Sequence, residues 1–460
     1  MKQYASYSFW LETCGDDLTP RPPLDGSIDV DVAILGAGYS GLWTAYYLLE
    51  REPSLKVAVI EKEIAGFGAS GRNGSWCTCH FPASYGAIAE HHGREAAVAL
   101  YRAMAGAVDE VGRVASAEGM DIHFMRGGGM TVARGTQQLP AVRDTHAEFV
   151  GLGLGDRVEL LNKAQTEARV KIEGALGSVF YKDAANIHPG RLVRGLARAV
   201  ERRGAKIYER TEVTDFTAGA KPALHTPHGD VNAKTIVLCG EAYLTRIPKM
   251  RRTLIPVYSL MTLTEPLSAA DWDAIGWRHR ECIDSARLTI EYIAKTADGR
   301  ILFGGRGAPY HFGSRIEDEF DRHLPTIEMF RDNVRRWFPR LKDVKFTHAW
   351  GGPLGASRDF MASMSYDPAT GVASARGYVG NGVATSNLAG RVLADLIAGR
   401  QTELTMLPCV NHRSPNWEPE PFRYLGVSYI QRAFRQIDKR AEHTGVAPSG
   451  KTLAERLTRH

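Results

Sequence analysis

The sequence predicts an α/β fold built on a Rossmann-like dinucleotide-binding unit, and three observations carry that expectation. The run Asp29-Val-Asp-Val-Ala-Ile-Leu35 reads as a short buried strand and passes directly into Gly36-Ala37-Gly38-Tyr39-Ser40-Gly41. Helical spacing follows from Leu42 to Glu50, and a second strand, Lys56-Val-Ala-Val-Ile60, ends at Glu61. At 460 residues the chain is also too long for one simple core, so a second domain is expected beside this βαβ unit.

Each part of the unit has a mechanical purpose. Gly36 permits the tight turn after the strand, Gly38 lets backbone approach a pyrophosphate, and Gly41 allows close helix–strand packing. The helix N-terminus offers free N–H groups and a positive dipole end to phosphates. Glu61 stands 25 residues after Gly36, at the tip of the second strand, where a carboxylate accepts hydrogen bonds from both ribose hydroxyls. An acid at that position argues against a 2′-phosphate, and so against NADP.

Composition narrows the remaining classes. The 57 Lys+Arg and 52 Asp+Glu are intermixed, so the formal charge of +5 forms no stripe for nucleic acid. Of the six cysteines only Cys77 and Cys79 are close in sequence, and without a second pair no structural zinc site is expected. Reduced thiols, an N-terminus without an apolar signal region, and the lack of any run of about 18 apolar residues predict a cytoplasmic protein with no membrane span.

The segment after Glu61 selects the cofactor. Lys62-Glu-Ile-Ala-Gly66-Phe-Gly68-Ala69-Ser70-Gly71-Arg72-Asn73-Gly74 resembles the Gly-rich loop of the D-amino-acid-oxidase-like flavoprotein superfamily, in particular its γ-glutamylputrescine oxidase branch and the related aminophosphonate oxidoreductases. Three more segments resemble that superfamily: the strand leading to Val213, the strand and turn Thr235-Ile-Val-Leu-Cys239-Gly240-Glu-Ala242, and Gly377-Tyr-Val-Gly380-Asn381-Gly382-Val383-Ala384 before a helix. The resemblance runs from about residue 6 to residue 404. It implies FAD, with Gly36, Ala37, Gly38, Tyr39, Ser40, Gly41, Glu61, Lys62, Gly68, Ala69, Ser70, Arg72, Asn73, Gly74, Val213, Cys239, Gly240, Gly351, Gly380, Asn381, Gly382, Val383 and Ala384 around it. The helix after Gly382 would point its N-terminus at the flavin's pyrimidine edge, where its dipole stabilises the charge of the reduced ring.

The same resemblance implies a discontinuous FAD-binding domain of roughly residues 25–110, 185–248 and 345–404. Residues 111–184 and 249–344 would form an α+β substrate domain around an antiparallel sheet. Residues 405–460 lie beyond the resemblance and read, from a helix of mixed charge, as a helical extension that packs on the body or meets another subunit. The residues suit this: Asp121 to Ala133 reads as a hairpin around Gly127, Gly128 and Gly129, Ile255 to Thr264 as a strand, and Arg300 to Phe303 as its continuation. His188 to Arg203 reads as a helix with Leu192, Val193, Leu196 and Val200 inward and its arginines solvated.

Flavin-dependent amine oxidation requires positioning and water exclusion, with no acid–base pair, and none stands out. The sarcosine oxidases of the superfamily hold a carboxylate with an arginine and a lysine; matching positions here are Trp76 to Cys79 and Ala384. The expected substrate is therefore a small primary or secondary amine, a polyamine derivative for example, with an aminophosphonate as the alternative and FAD as a structural prop in a larger complex as the non-enzymatic one. Arg306, in the turn Phe303-Gly-Gly-Arg306-Gly-Ala-Pro309, is the candidate positive charge near the flavin or a substrate anion. Tyr258, His80 and Trp350, the last within the His348-Ala-Trp-Gly351-Gly352 stretch, are the other candidate site residues. The superfamily's oxygen-activating lysine has no counterpart at the turn, which leaves oxygen or a quinone-type acceptor open. No cysteine lies between Cys282 and Cys409, where the flavin-linking cysteine would stand, so noncovalent FAD is expected.

Overall fold

A computed structural model describes residues 2–458, which form two large sheets with helices packed on them. The first sheet is parallel at its centre. Strand Ile28–Leu35 runs beside Val57–Ile60 on one side and Gly229–Leu238 on the other, and Lys206–Tyr208 and Val372–Arg376 extend it. Parallel strands demand crossovers, and the first is the nucleotide helix Tyr39–Arg51. Leu42, Trp43 and Ala45 on that helix are fully buried. It lies against helix Gly382–Ile397, close enough that a Cβ at Gly390 would stand 2.5 Å from that of Trp43.

The second sheet has eight strands, antiparallel except where Cys282–Ser285 meets Gly129–Arg134. Its functional end comprises Phe346–Ala356, Ile255–Thr264, Ile301–Gly305 and Glu291–Lys295, in that spatial order. Alternation along these strands gives two different faces. Met261, Leu263, Leu302 and Trp350 cluster with Tyr292 on the face that meets the Gly-rich loop. Tyr258, Leu260, Ile293 and Phe303 pack on the opposite face, under helix Leu324–Trp337.

Several sequence expectations are corrected. Residues 121–128 form no hairpin arm; Gly129–Arg134 pairs instead with Ala175–Tyr181 and Cys282–Ser285. The glycines serve close approach: a Cβ at Gly127 would lie 1.9 Å from the His279 carbonyl oxygen. Residues 346–356, placed with the FAD-binding segments from sequence, supply the edge strand of the second sheet. Helix Pro189–Arg202 buries Leu192, Val193, Leu196 and Val200 as expected, yet Arg194 is also buried, ion-paired to Asp16 at 2.8 Å. The C-terminal helix is longer than its charge pattern suggested, Phe422–Thr444, and packs back on the body.

Candidate active site

A long cleft opens along the carboxyl ends of the first sheet's strands, the usual ligand position in such sheets. Its floor is the turn that follows strand Ile28–Leu35. Gly36 has φ +99°, and a Cβ there would meet the Cys239 carbonyl oxygen at 2.8 Å. A Cβ at Gly41 would stand 2.0 Å from the Gly36 carbonyl oxygen, so the helix can begin this close to the strand only with glycine. The nucleotide helix has no side-chain cap on Gly38, although the Tyr39 N–H donates to Ser70 Oγ at 2.8 Å. Its first turn therefore presents backbone donors to the cleft.

Glu61 holds the far edge. Its carboxylate accepts from the Ala37 and Glu63 N–H groups, each at 2.9 Å, and burial pushes its pKa up to about 7. Beyond it Lys62, Thr211, Glu212 and Val213 line the wall, with Lys62 Nζ on Glu212 at 2.6 Å. Across the floor Cys239 and Gly240 continue into Glu241. That carboxylate accepts from the Gly377 and Tyr378 N–H groups at 2.9 and 3.1 Å, and burial lifts it also to about 7. Glu241 thus fixes the loop carrying Gly380, and Ser40 Oγ meets Tyr378 Oη 2.7 Å away.

The Gly-rich loop covers the other side. Gly68, Ala69, Ser70 and Asn73 line the cleft. The Asn73 amide is spent within the loop, donating to the Ala69 and Ser70 carbonyls and accepting from the Ser75 N–H. Arg72 does not line it. Its guanidinium is buried, pairs with Asp321, and donates to the Phe67 and Gly351 carbonyls and to Tyr243 Oη. Arg72 is therefore the bolt that joins loop, second sheet and the segment Asp318–Arg322. Trp350 reinforces it, its indole N–H donating to the Arg72 carbonyl at 3.0 Å. Gly74 is bare because the Tyr292 ring occupies the place of its Cβ, 2.4 Å away. Gly380, Gly382 and Val383 line the end of the cleft, while Asn381 and Ala384 belong to the same helix start without lining it.

Three of the remaining expectations move. Tyr258 sits on the covered face of its sheet, ringed by His311 and Phe320, whereas its neighbour Ser259 lies on the opposite face, its hydroxyl 3.2 Å from that of Tyr292. His80 lies past strand Trp76–Thr78 against the Tyr181 ring at 4.7 Å, and burial lowers its pKa to about 4, leaving it neutral and outside the cleft. Arg306 does not line the cleft either; its guanidinium donates to the carbonyl of Val379, the residue before the cleft-lining Gly380. Sequence reasoning missed Tyr243, Glu241, Asp321 and Tyr292. Tyr243 and Glu241 directly follow a recognised motif, but nothing in the sequence marks Asp321 or Tyr292.

The family profile described as FAD dependent oxidoreductase (DAO) matches residues 31–396. The chain belongs to this family. FAD is accordingly the cofactor of this DAO-family oxidoreductase, and the cleft fits it: a lining of glycine backbone at Gly36, Gly38, Gly68 and Gly240, an acid for the ribose, and a helix start without a side-chain cap on Gly38 for phosphates. Gamma-glutamylputrescine oxidoreductase of Escherichia coli (strain K12) is 28% identical over 432 residues, spanning 92% of this chain and 97% of that protein. A probable oxidoreductase OrdL of Rhizobium meliloti (strain 1021) is 29% identical, spanning 86% of this chain and 90% of its own. Among solved structures, glycine oxidase from Geobacillus kaustophilus shares the fold at TM-score 0.70 and 20% identity, covering 84% of this chain and 99% of that one. These relatives place the DAO-family chain among FAD-dependent amine and amino-acid oxidoreductases. No helix among the described residues is long and apolar enough to cross a membrane.

Glu61 and Glu241 give the apoprotein a pH signature. Their folded pKa values near 7 lie above the ordinary 4.5, so the folded state binds protons more tightly than the unfolded chain. That stabilising effect is present below the unfolded value and is lost as pH rises through about 7. The melting temperature of FAD-free protein is expected to fall between mildly acidic and mildly alkaline buffer, and Glu61→Gln should flatten the fall. A pH-independent melting temperature would contradict the assignment.

Proposed function

We propose that this enzyme oxidises a small primary or secondary amine with noncovalently bound FAD. The observation that carries the reading is the sheet face beside the Gly-rich loop, a wall on which Ser259, Tyr292 and Gly304 stand together without an acidic group. Such a wall suits a neutral amine nitrogen and has no group that would act as a strong base. FAD, held by the turn Gly36–Gly41, Glu61 and the Gly-rich loop, would supply the two-electron acceptor for hydride from the carbon beside that nitrogen. The imine left behind adds water and separates into an aldehyde and an amine or ammonia.

The chain's own residues orient and enclose. The hydroxyls of Tyr292 and Ser259, 3.2 Å apart, form a pair that can accept the amine N–H and hold the C–H bond in line. The Tyr292 ring, wedged between Gly74 and Gly304, excludes water from that spot. Helix Gly382–Ile397 has no side-chain cap at Asn381, so its positive dipole end is free for developing negative charge. Noncovalent attachment rests on thiol chemistry: Cys239 is the cleft's cysteine, and burial pushes its thiol up to about 12, far from a reactive thiolate. Acid precipitation should release the FAD into the supernatant; flavin retained in the pellet would overturn this part.

The test is aldehyde formation from a panel of primary and secondary amines with an artificial electron acceptor, with sarcosine as comparison. Aldehyde from primary amines and slow sarcosine turnover are expected. Brisk sarcosine oxidation would overturn the substrate class, and no aldehyde from any amine would favour FAD as a structural prop.

A further inference from the structure

The Gly-rich loop is gripped from behind by the N-terminal segment, which lies ahead of the family match beginning at residue 31. Three successive carbonyls of the loop are each taken by a side-chain donor. Ser8 Oγ donates to the Gly71 carbonyl at 2.7 Å, the Trp350 indole N–H to that of Arg72 at 3.0 Å, and the Trp10 indole N–H to that of Asn73 at 2.8 Å. Trp10 belongs to the short helix Phe9–Glu12, and its ring meets that of Trp350 edge-on, the centroids 6.2 Å apart. Both indoles are buried in one cluster with Phe9, Met261 and Leu263. Neither lines the cleft, whereas Asn73 does.

A trans peptide is planar, and its N–H points opposite to its C=O. A carbonyl drawn towards an indole therefore sends the N–H of the following residue away from that indole. Behind the Gly71 carbonyl the N–H is that of Arg72, already spent on the Ala69 carbonyl at 3.1 Å. Behind the Arg72 and Asn73 carbonyls the N–H groups are those of Asn73 and Gly74. Among the described residues neither of these finds an acceptor. Both residues are half-buried. Enclosed backbone N–H groups are nearly always paired, so two consecutive open ones on the side away from the tryptophans call for an acceptor from outside the chain.

We propose that Trp10 and Trp350 are positioning residues: they hold the Arg72–Asn73 and Asn73–Gly74 peptides so that two N–H groups donate to acceptor atoms of the flavin ring and raise its electron affinity. Donors already aimed where negative charge develops need no reorganisation when the ring is reduced. The inference rests on the FAD assignment alone, not on the amine reading. It gives a segment outside the family match a part in setting the cofactor's potential.

The test is the midpoint potential of FAD-loaded enzyme, titrated anaerobically against a reference dye with no amine present. Trp10→Phe and Trp350→Phe each keep an aromatic ring and delete the N–H. Each is expected to lower the equilibrium constant for reduction about 3- to 10-fold, the worth of one hydrogen bond, or about 15 to 30 mV for a two-electron couple. Ser8→Ala releases the same loop and also removes the cap on the Leu11 N–H, so it should melt earlier. It should keep the parental potential, because the peptide it frees has no open N–H. Trp337→Phe trims a fully buried indole that has no hydrogen-bond partner and should keep the potential too. A parental potential in either Trp10→Phe or Trp350→Phe, or an equal fall in Ser8→Ala or Trp337→Phe, would overturn the proposal. Loss of FAD from both Trp10→Phe and Trp350→Phe while Ser8→Ala stays loaded would also overturn it, because the two N–H groups are assigned to the ring's potential and not to cofactor retention. A potential that falls as expected, in an enzyme that no amine reduces, would uphold this inference and sink the amine reading.

Discussion

Gly41→Ala is expected to produce a protein that no longer retains FAD and unfolds well below the parent. The added methyl would stand 2.0 Å from the Gly36 carbonyl oxygen and 3.1 Å from Ile34 Cγ2. Neither neighbour is the free end of a flexible side chain, so the nucleotide helix must retreat from the turn. That retreat separates the phosphate-binding N–H groups from the glycine floor. Overpacking of this kind costs about 3 kcal/mol. Helix propensity works the other way, favouring alanine by about 1 kcal/mol, so a large loss can only be steric. Gly106 provides the contrast. It lies within helix Arg94–Ala117 with nothing within 4 Å of its would-be Cβ, and Gly106→Ala should keep FAD and leave the protein as stable or slightly more so. Flavin-to-protein ratios and melting temperatures of the two variants decide the matter; a yellow Gly41→Ala protein with parental stability would contradict it.

Arg72→Met should be equally severe for an electrostatic reason. It removes the partner of Asp321 and three further donations, to Phe67, Gly351 and Tyr243, that tie the Gly-rich loop to the second sheet. Asp321 is 7% exposed, so its carboxylate would remain buried and uncompensated. Breaking one side of a buried pair costs about 3–5 kcal/mol. Burial already raises Asp321 to about 6 against the pull of Arg72, and without the guanidinium it rises further. A folded pKa above the unfolded value means that stability is lost as pH rises through it. Arg72→Met should thus lose least in acid and most at alkaline pH, and Asp321→Asn added to it should restore part of the difference. Chemical denaturation at two pH values measures this. An Arg72→Met protein with parental stability at both would contradict the bolt.

These two residues also mark what the sequence discloses. Gly41 was legible because strand, turn, helix and acid lie within 34 residues and each follows a local rule. Arg72 was picked out correctly as important but given to the cofactor, because its true partner Asp321 is 249 residues away in a segment with no motif. Tyr258 illustrates a parity error. The strand Ile255–Thr264 was readable, but which of its faces is covered is decided by packing against helix Leu324–Trp337, which takes Tyr258 and leaves Ser259 on the other face with Tyr292. Tyr292 was silent for a related reason: its role comes from two glycines, Gly74 and Gly304, that the fold brings to opposite sides of one ring. His80 follows the flavin loop in sequence, yet the pairing of Trp76–Thr78 with Ala184–Asn186 carries the chain away from the cleft. Local chemistry was visible; side-chain direction across the domain junction was not.

The central claim is that an amine delivers its electrons to FAD held in this cleft. Anaerobic mixing of purified yellow enzyme with a broad set of small amines, followed in the visible flavin band, tests it most directly. Bleaching by at least one amine, with one aldehyde formed per flavin reduced, is the predicted result. A band that stays unchanged across the whole set, while dithionite still bleaches it, would contradict the account.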